Sequence, residues 1–303
     1  LSTAQVAALT TDQVKALAPA ALTRMSSVQI DNLNTDQIAV LSSAQLNSID
    51  AADLTTMSTD QIRALDTQDV VALTAIQVAA MGSDQLNALT SAQLGAIEAR
   101  DVTAMTTEQV SALSTGQIVA MTSSQMSSML TDQVASLTAT QVAAIETRDM
   151  AALRTDQIVA LSANQLSAID TAQLRALQTA QLTAMTSDQV AVLSSTQLNA
   201  LTSQQWTSLT SGQIQALTTA QIDKLSTGQV NALTTRMVAA LTTDQISALP
   251  TVNVVALSTA NVAALSTDQV SVLTTGQLAA MTTQQVVALE TQDLRVLNTE
   301  QVG

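Results

Sequence analysis

The chain has 303 residues, a formal net charge of −14 and a mean hydropathy of +0.27, and 47% of its residues are hydrophobic. It is too apolar for a disordered chain, and its excess of acids argues against electrostatic binding to nucleic acid or anionic membrane. Cys and His are absent, which excludes disulfides and makes zinc sites untenable, and polar residues interrupt every apolar run before it reaches the length of a membrane span. We therefore expect a packed aliphatic core and no cofactor.

An eight-residue repeat runs along the whole chain. Counted from its leading aliphatic residue, it gives thirty-seven complete octads from Leu1 to Val296, without insertion or deletion, followed by LNTEQVG. The consensus is L-T-T-x-Q-V-x-A, and position 5 is Gln in 28 of the 37 octads. Residues 1–303 are accordingly predicted to form a single uninterrupted repeat domain. Because the pattern is already in phase at Leu1, we interpret the chain as a segment of a longer array or a processed form.

Neither a continuous helix nor a strand explains this pattern. Eight residues at about 100° each leave the apolar stripe of a helix rotated by about 80° in every octad. In a strand, positions 1 and 6 would point to opposite faces. Ser or Thr at position 2 with Gln at position 5 has the spacing of a capping box, and positions 1 and 6 then form a hydrophobic staple.

The octad therefore predicts one very short helix per repeat. So short a helix is unstable alone, so that neighbouring octads must stack. The fold class is an all-α solenoid, with positions 1, 6 and 8 facing inward.

The two prolines agree with these helix boundaries. Pro19 occupies position 3 of its octad, the first helical residue, where the missing N–H costs nothing. Pro250 occupies position 2, the helix cap. Each proline disfavours helix in the residue before it, so the chain breaks where the repeat requires.

Paired acids replace the usual residues at positions 2 and 5 in five octads. Such pairs could bind Ca²⁺, which prefers oxygen ligands, or they could be an alternative helix cap, which we favour because no glycine-bearing calcium loop is present. Arg100 and Arg148 lie inside two of the pairs and are expected to neutralise them. The candidate Ca²⁺ ligands are Asp50, Asp53, Glu98, Asp101, Glu146, Asp149, Glu290 and Asp293, and Asp66 with Asp69 forms the fifth pair.

Trp206 interrupts the aliphatic series at position 6. An aliphatic core this narrow would be overpacked by an indole ring, so we expect Trp206 at a rim or an end, with its ring over the surface. The alternative is a contact anchor, since Trp is enriched at interface hot spots.

A longer period of 24 residues is superimposed on the octad. Seven acids at position 4 follow one another at this interval, after which the rhythm slips: Asp12, Asp36, Asp60, Asp84, Glu108, Asp132 and Asp156. This indicates a three-sided coil with every third helix on the same side, although duplication of a 24-residue segment would leave the same trace.

Catalysis is not predicted. The acid pairs recur along a uniform chain without His or an irregular loop that would build a pocket, and the many hydroxyl residues are explained by capping. A regular Thr array also allows an ice-binding hypothesis, provided that the Thr side chains share one exposed plane.

Phrases such as LTTDQV at Leu9, LTTAQI at Leu217, LTTDQI at Leu241 and LTTGQL at Leu273 resemble the ALTTAQ-like octapeptide arrays of very large, low-complexity bacterial proteins. Those proteins are often labelled adhesins or haem-utilisation proteins, and the resemblance implies a cell-surface or secreted setting. The haem label finds no support here, since there is no His, Cys or Tyr.

Two functions follow as hypotheses. The first is a structural stalk, spacer or fibre segment, without enzymatic activity, that continues into adjoining repeats or associates end to end. The second is a module that binds Ca²⁺ or a basic partner through its acids.

Overall fold

The computed structural model describes residues 1–302 and, of their side chains, those of residues 1–301. This part of the chain contains 38 α-helices of four to six residues and no strand, which confirms the predicted all-α fold with one short helix per octad. Gly303, the end of the partial last octad, lies outside the described residues.

The chain folds as two compact units, Leu1–Ala160 and Leu161–Gly303. The first unit contains α1 Thr3–Ala7, α2 Thr11–Lys15, α3 Pro19–Leu22, α4 Ser27–Asp31, α5 Thr35–Ile38, α6 Ser43–Ser48, α7 Ala51–Leu54, α8 Thr59–Ala64, α9 Thr67–Ala72, α10 Ala75–Ala80, α11 Ser83–Ala88, α12 Ser91–Ala96, α13 Ala99–Val102, α14 Thr107–Ala112, α15 Thr115–Ala120, α16 Ser123–Ser128, α17 Thr131–Ser136, α18 Ala139–Ala144, α19 Thr147–Ala152 and α20 Thr155–Val159.

The second unit contains α21 Ala163–Ala168, α22 Thr171–Ala176, α23 Thr179–Ala184, α24 Ser187–Ala191, α25 Ser195–Ala200, α26 Ser203–Ser208, α27 Ser211–Ala216, α28 Thr219–Asp223, α29 Thr227–Asn231, α30 Thr235–Ala240, α31 Thr243–Ser247, α32 Thr251–Ala256, α33 Thr259–Ala263, α34 Thr267–Ser271, α35 Thr275–Ala280, α36 Thr283–Ala288, α37 Thr291–Arg295 and α38 Thr299–Val302.

The predicted capping box starts most of these helices, and α14 is typical. The Thr106 hydroxyl accepts a hydrogen bond from the Gln109 backbone N–H (3.1 Å), and the Gln109 side-chain oxygen accepts one from the Thr106 N–H (2.7 Å). Most of the helices end where the next position 1 is non-helical, as at Leu113 with φ −59° and ψ 139°. Pro19 begins α3 and Pro250 caps α32, as predicted.

Three octads make one turn of the coil within each unit. Each helix packs against the helices three places before and after it, so that α11 lies between α8 and α14. This confirms the three-sided coil and shows that the 24-residue period has a structural basis. We call each 24-residue turn a coil.

The core is an aliphatic spine built from positions 1 and 6. Position 6 is buried from Val6 to Val270, and position 1 from Leu33 to Leu289. The prediction that position 8 faces inward is wrong for most octads. Ala88 and Ala240 are buried there, but most other position 8 residues are half-buried, because position 5 occupies the inner side of the helix instead.

Buried glutamines at position 5 join successive coils. The Gln117 side-chain nitrogen donates to the carbonyl oxygens of Leu86 (2.8 Å) and Leu89 (3.0 Å), which lie 31 and 28 residues earlier. The same two bonds recur in many octads of both units, as for Gln277 with the carbonyls of Ile246 (2.9 Å) and Leu249 (2.7 Å). We call this series of bonds the glutamine ladder. Each glutamine thus uses its oxygen to cap its own helix and its nitrogen to hold the preceding coil.

Candidate functional site

A column of carboxylates lies along one side of the first unit. The seven acids spaced by 24 residues lie on α2, α5, α8, α11, α14, α17 and α20, each of which packs on the next. All seven are exposed. Arg63 lies 3.6 Å from Asp60, and Arg154 binds Asp156 at 3.1 Å. The hydrogen bond from Arg154 lowers the pKa of Asp156.

The paired acids lie at helix starts, where they replace the usual capping residues. Asp50 accepts a hydrogen bond from the Asp53 N–H (2.8 Å), and Asp66 accepts one from the Asp69 N–H (2.7 Å), which are true side-chain caps. The glutamates Glu98, Glu146 and Glu290 make no such bond to the position 5 N–H of their helices. The capping interpretation therefore holds in full for the two aspartate-led pairs.

Arginines neutralise two of the pairs, as the sequence predicts. Arg100 lies 2.7 Å from Glu98 and 3.6 Å from Asp101. Arg148 lies 3.0 Å from Glu146 and 3.3 Å from Asp149. In both cases one guanidinium group bridges an exposed glutamate and a buried aspartate.

Serines of the preceding coil bind three of the buried aspartates. Ser27 donates to Asp53 (2.6 Å), Ser43 to Asp69 (3.4 Å) and Ser123 to Asp149 (2.5 Å), each over 26 residues. The sequence carried this signal, because Ser at position 3 precedes Asp at position 5 three octads later. We did not expect these bonds, since capping already accounted for the many hydroxyl residues of the octad.

These carboxylates do not assemble a metal centre. Among the residues that the structure describes, no group of three or more Asp or Glu side chains is placed to hold a metal ion. The position 5 member of each pair is buried between coils: Asp53, Asp69, Asp101, Asp149 and Asp293 are each at most 8% exposed. Ca²⁺ needs six or more oxygen ligands, so the candidate Ca²⁺ residues remain a prediction without a ligand shell.

Trp206 lies in the core, and the prediction of a rim or surface position is wrong. Its side chain is 1% exposed, and its indole N–H donates to the Gln229 carbonyl oxygen at 3.0 Å. A cleft of about 210 Å³ opens beside the ring, lined by Asn199, Ser226 and Gly228 among others. The alternative of a contact anchor stays a prediction, although a ring that is 1% exposed offers little surface to a partner.

The interior itself offers little space for a ligand. An apolar cavity of about 10 Å³ lies within the spine of the second unit, between residues such as Ile246, Leu257 and Met281. This is about the volume of one water molecule, and its lining is entirely aliphatic, so it has no polar group to hold a water.

The repeat matches a model of a known protein family. A family model described as the ALTTAQ repeat matches residues 46–83, 64–97, 94–131, 102–140, 142–173, 166–203, 204–235, 219–251 and 248–283. The chain belongs to the ALTTAQ repeat family. A search of curated proteins found no match.

The resemblance predicted from the octad is thus confirmed, and the ALTTAQ chain is a helical repeat protein. Across residues 1–302, the helices are all too short to traverse a lipid bilayer.

Proposed function

We propose that this ALTTAQ chain is a non-catalytic structural segment that serves as a stalk, spacer or fibre in a secreted or cell-surface bacterial protein. The observation that carries the proposal is the glutamine ladder. Within each unit, most octads hold the coil before them with the same amide bonds and the same aliphatic spine, so length can increase without any new interaction. The hydroxyl residues at position 2 cap the helices, which accounts for a large part of the polar side chains of the octad.

The ladder also has a direction, which supports continuation or self-association. Within each unit, a coil donates side-chain amides to the coil before it and offers backbone carbonyls to the coil after it. Any further octads with the same consensus would find matching partners, whether they belong to the same chain or to a second copy. Such a contact is head-to-tail and propagates instead of closing.

Deleting whole coils tests the spacer role. Removal of residues 105–128 takes out one coil and leaves every remaining octad in register, so we expect unchanged helicity per residue and cooperative unfolding. Small-angle scattering should show a maximum dimension shorter by about 8–10 Å, one helix-packing distance. Removal of residues 105–108 is the control, because half an octad puts the ladder out of register and should cause a large loss of stability.

Two further measurements address assembly and location. Light scattering across a range of concentrations, with electron microscopy, should show filaments or end-to-end oligomers if chains associate. Antibody labelling of intact and permeabilised cells of the encoding bacterium should mark the surface. Unfolding after deletion of a whole coil would contradict the spacer role, and labelling confined to permeabilised cells would contradict the surface location.

A further inference from the structure

Asp69 combines deep burial with an incomplete set of partners. It occupies position 5 of its octad on α9 and is 2% exposed. One carboxylate oxygen accepts a long hydrogen bond from the Ser43 hydroxyl (3.4 Å). The other oxygen, Oδ2, is buried and has no hydrogen-bond partner within the described part of the chain. An ionised oxygen in that state is costly, because burial removes the water that would stabilise its charge.

Other octads show what position 5 supplies to the coil. Its side chain donates to the position 1 carbonyl 28 residues earlier. Asparagine is long enough for this bond, since Asn253 reaches the Leu225 carbonyl (2.9 Å) and Asn261 reaches that of Leu233 (3.0 Å).

Where position 5 cannot donate, a neighbour can. Met237 has no donor, and the adjacent Arg236 donates to the corresponding Leu209 carbonyl at 2.8 Å. The carbonyl that corresponds to Asp69 is that of Leu41, and no side chain among the described residues donates to it.

Protonation would give Asp69 the missing donor. Aspartate and asparagine have the same shape, but an ionised carboxylate only accepts hydrogen bonds, whereas the neutral acid carries an O–H that can donate. A proton on Oδ2 would therefore supply an O–H at the octad position from which Asn253 and Asn261 donate their N–H groups.

The surrounding charges favour the neutral acid. The helices packed against α9 are α6 and α12, and neither carries Asp, Glu, Lys or Arg. The nearest charged group is Asp66, which caps the same helix. Burial first, and then the negative charge of Asp66, raises the pKa of Asp69 to about 6. Asp101 and Asp149 differ in that an arginine lies beside each of them.

We propose that Asp69 is a proton-dependent link between α9 and the preceding coil: the neutral acid donates from Oδ2 to the Leu41 carbonyl, and ionisation breaks this bond. Because the pKa is raised in the folded state, the contribution to stability is complete below the ordinary pKa of Asp and is lost as the pH rises through about 6. This is the opposite of the usual behaviour of a protein carboxylate, which stabilises when ionised.

Unfolding by urea at pH 5 and pH 7.5 tests the link in the whole chain. The folding equilibrium constant of the wild type, relative to Asp69→Asn, should be about tenfold higher at pH 5 than at pH 7.5. Asp69→Asn carries a permanent donor, so it should be more stable than the wild type at pH 7.5. The matched control is Asp53→Asn, the same substitution at the same octad position, where Ser27 donates at 2.6 Å; it should keep the pH dependence of the wild type.

Hydrogen exchange gives a local measurement that does not depend on global unfolding. After correction for intrinsic rates, wild-type peptides covering residues 38–46 and 66–73 should be better protected at pH 5 than at pH 7.5, and in Asp69→Asn this difference should disappear. An unchanged pH dependence in Asp69→Asn, by either measurement, would overturn the proposal. Equal loss of that dependence in Asp53→Asn would also overturn it, since the effect would not belong to Asp69.

Discussion

The two units of the molecule contain the same type of glutamine ladder, but they replace its glutamines with different residues. Residues 1–160 contain sixteen acidic and six basic residues, whereas residues 161–303 contain eight and four. Four of the five aspartates at position 5 lie in the first unit. The second unit instead places Met237, Asn253 and Asn261 at that position.

The difference shows what position 5 must provide. A neutral side chain that donates, such as Asn261, fits without help from its surroundings. A buried aspartate needs a partner, which is Ser123 together with Arg148 in the case of Asp149. Where the serine of another octad binds the aspartate, as Ser123 binds Asp149, a charge between coils couples octads that are far apart in sequence.

Trp206→Ala is expected to have the largest effect, because it removes the largest buried side chain from the core of the second unit. Removing a fully buried indole leaves a cavity and takes from the Gln229 carbonyl one of its two donors, the other being the Ala232 N–H, so the free energy of unfolding should fall by about 3–5 kcal/mol. Urea denaturation measures the loss. Val252→Ala, at a side chain that is 60% exposed in the same unit, is the control and should change little. A loss below about 1 kcal/mol for Trp206→Ala would contradict its place in the core.

Gln117→Leu tests whether both units depend on the same ladder. It removes the side-chain donor to the Leu89 carbonyl, one of the two donors to the Leu86 carbonyl, which keeps the Leu89 N–H, and the acceptor for the Ser114 N–H. Each buried group left unsatisfied costs about 1–3 kcal/mol. We expect the free energy of unfolding to fall by about 2–4 kcal/mol, because the neighbouring backbone can relax and recover part of the cost. Gln277→Leu in the second unit should cause the same loss.

The control is Gln5→Leu, because Gln5 is exposed and its oxygen caps Ser2 (2.8 Å). It should cost about 1 kcal/mol, the usual value of a cap. Equal losses of stability for Gln5→Leu and Gln117→Leu would show that capping alone explains why glutamine recurs at position 5 of the octad.

Ser123→Ala sharpens the comparison at a single hydroxyl. It removes the 2.5 Å hydrogen bond to Asp149, and bonds to charged groups contribute about 1.5–3 kcal/mol. Ser195→Ala in the second unit is the matched variant, since the residue 26 positions later is Gln221 and not an aspartate. It should have almost no effect in the same denaturation experiment. If both variants lose the same stability, the serine does not act through the aspartate.

Ca²⁺ is expected to have the smallest effect. A specific site on the folded chain would raise the melting temperature by mass action. Because the position 5 acids are buried and used between coils, millimolar Ca²⁺ should leave the melting temperature within about 1 °C of its value in chelator. Mg²⁺ at the same concentration controls for screening of the acid column. A rise with Ca²⁺ and not with Mg²⁺ would establish a site that the acid pairs could provide.

The sequence was sufficient for the helix starts, because Ser or Thr at position 2 and Gln at position 5 have a local and well-defined geometry. It also predicted three octads per coil, from the acids that end at Asp156. It did not predict the ladder, because capping uses the oxygen of Gln117 and nothing local shows where its nitrogen points. The position of Trp206 was predicted wrongly because the space available to a large ring, here beside the cleft that Asn199 lines, depends on how neighbouring helices end. The octad does not encode this.

The ladder bonds described here reach back at most 31 residues. None of these ladder bonds skips over a coil, so under tension the ladder restrains a coil only through its neighbours. A pulling force applied along such an array would unfold it one coil at a time. Each step would extend roughly 24 residues before the next coil unfolds. The extensibility of an ALTTAQ segment under load would then increase in proportion to the number of its octads.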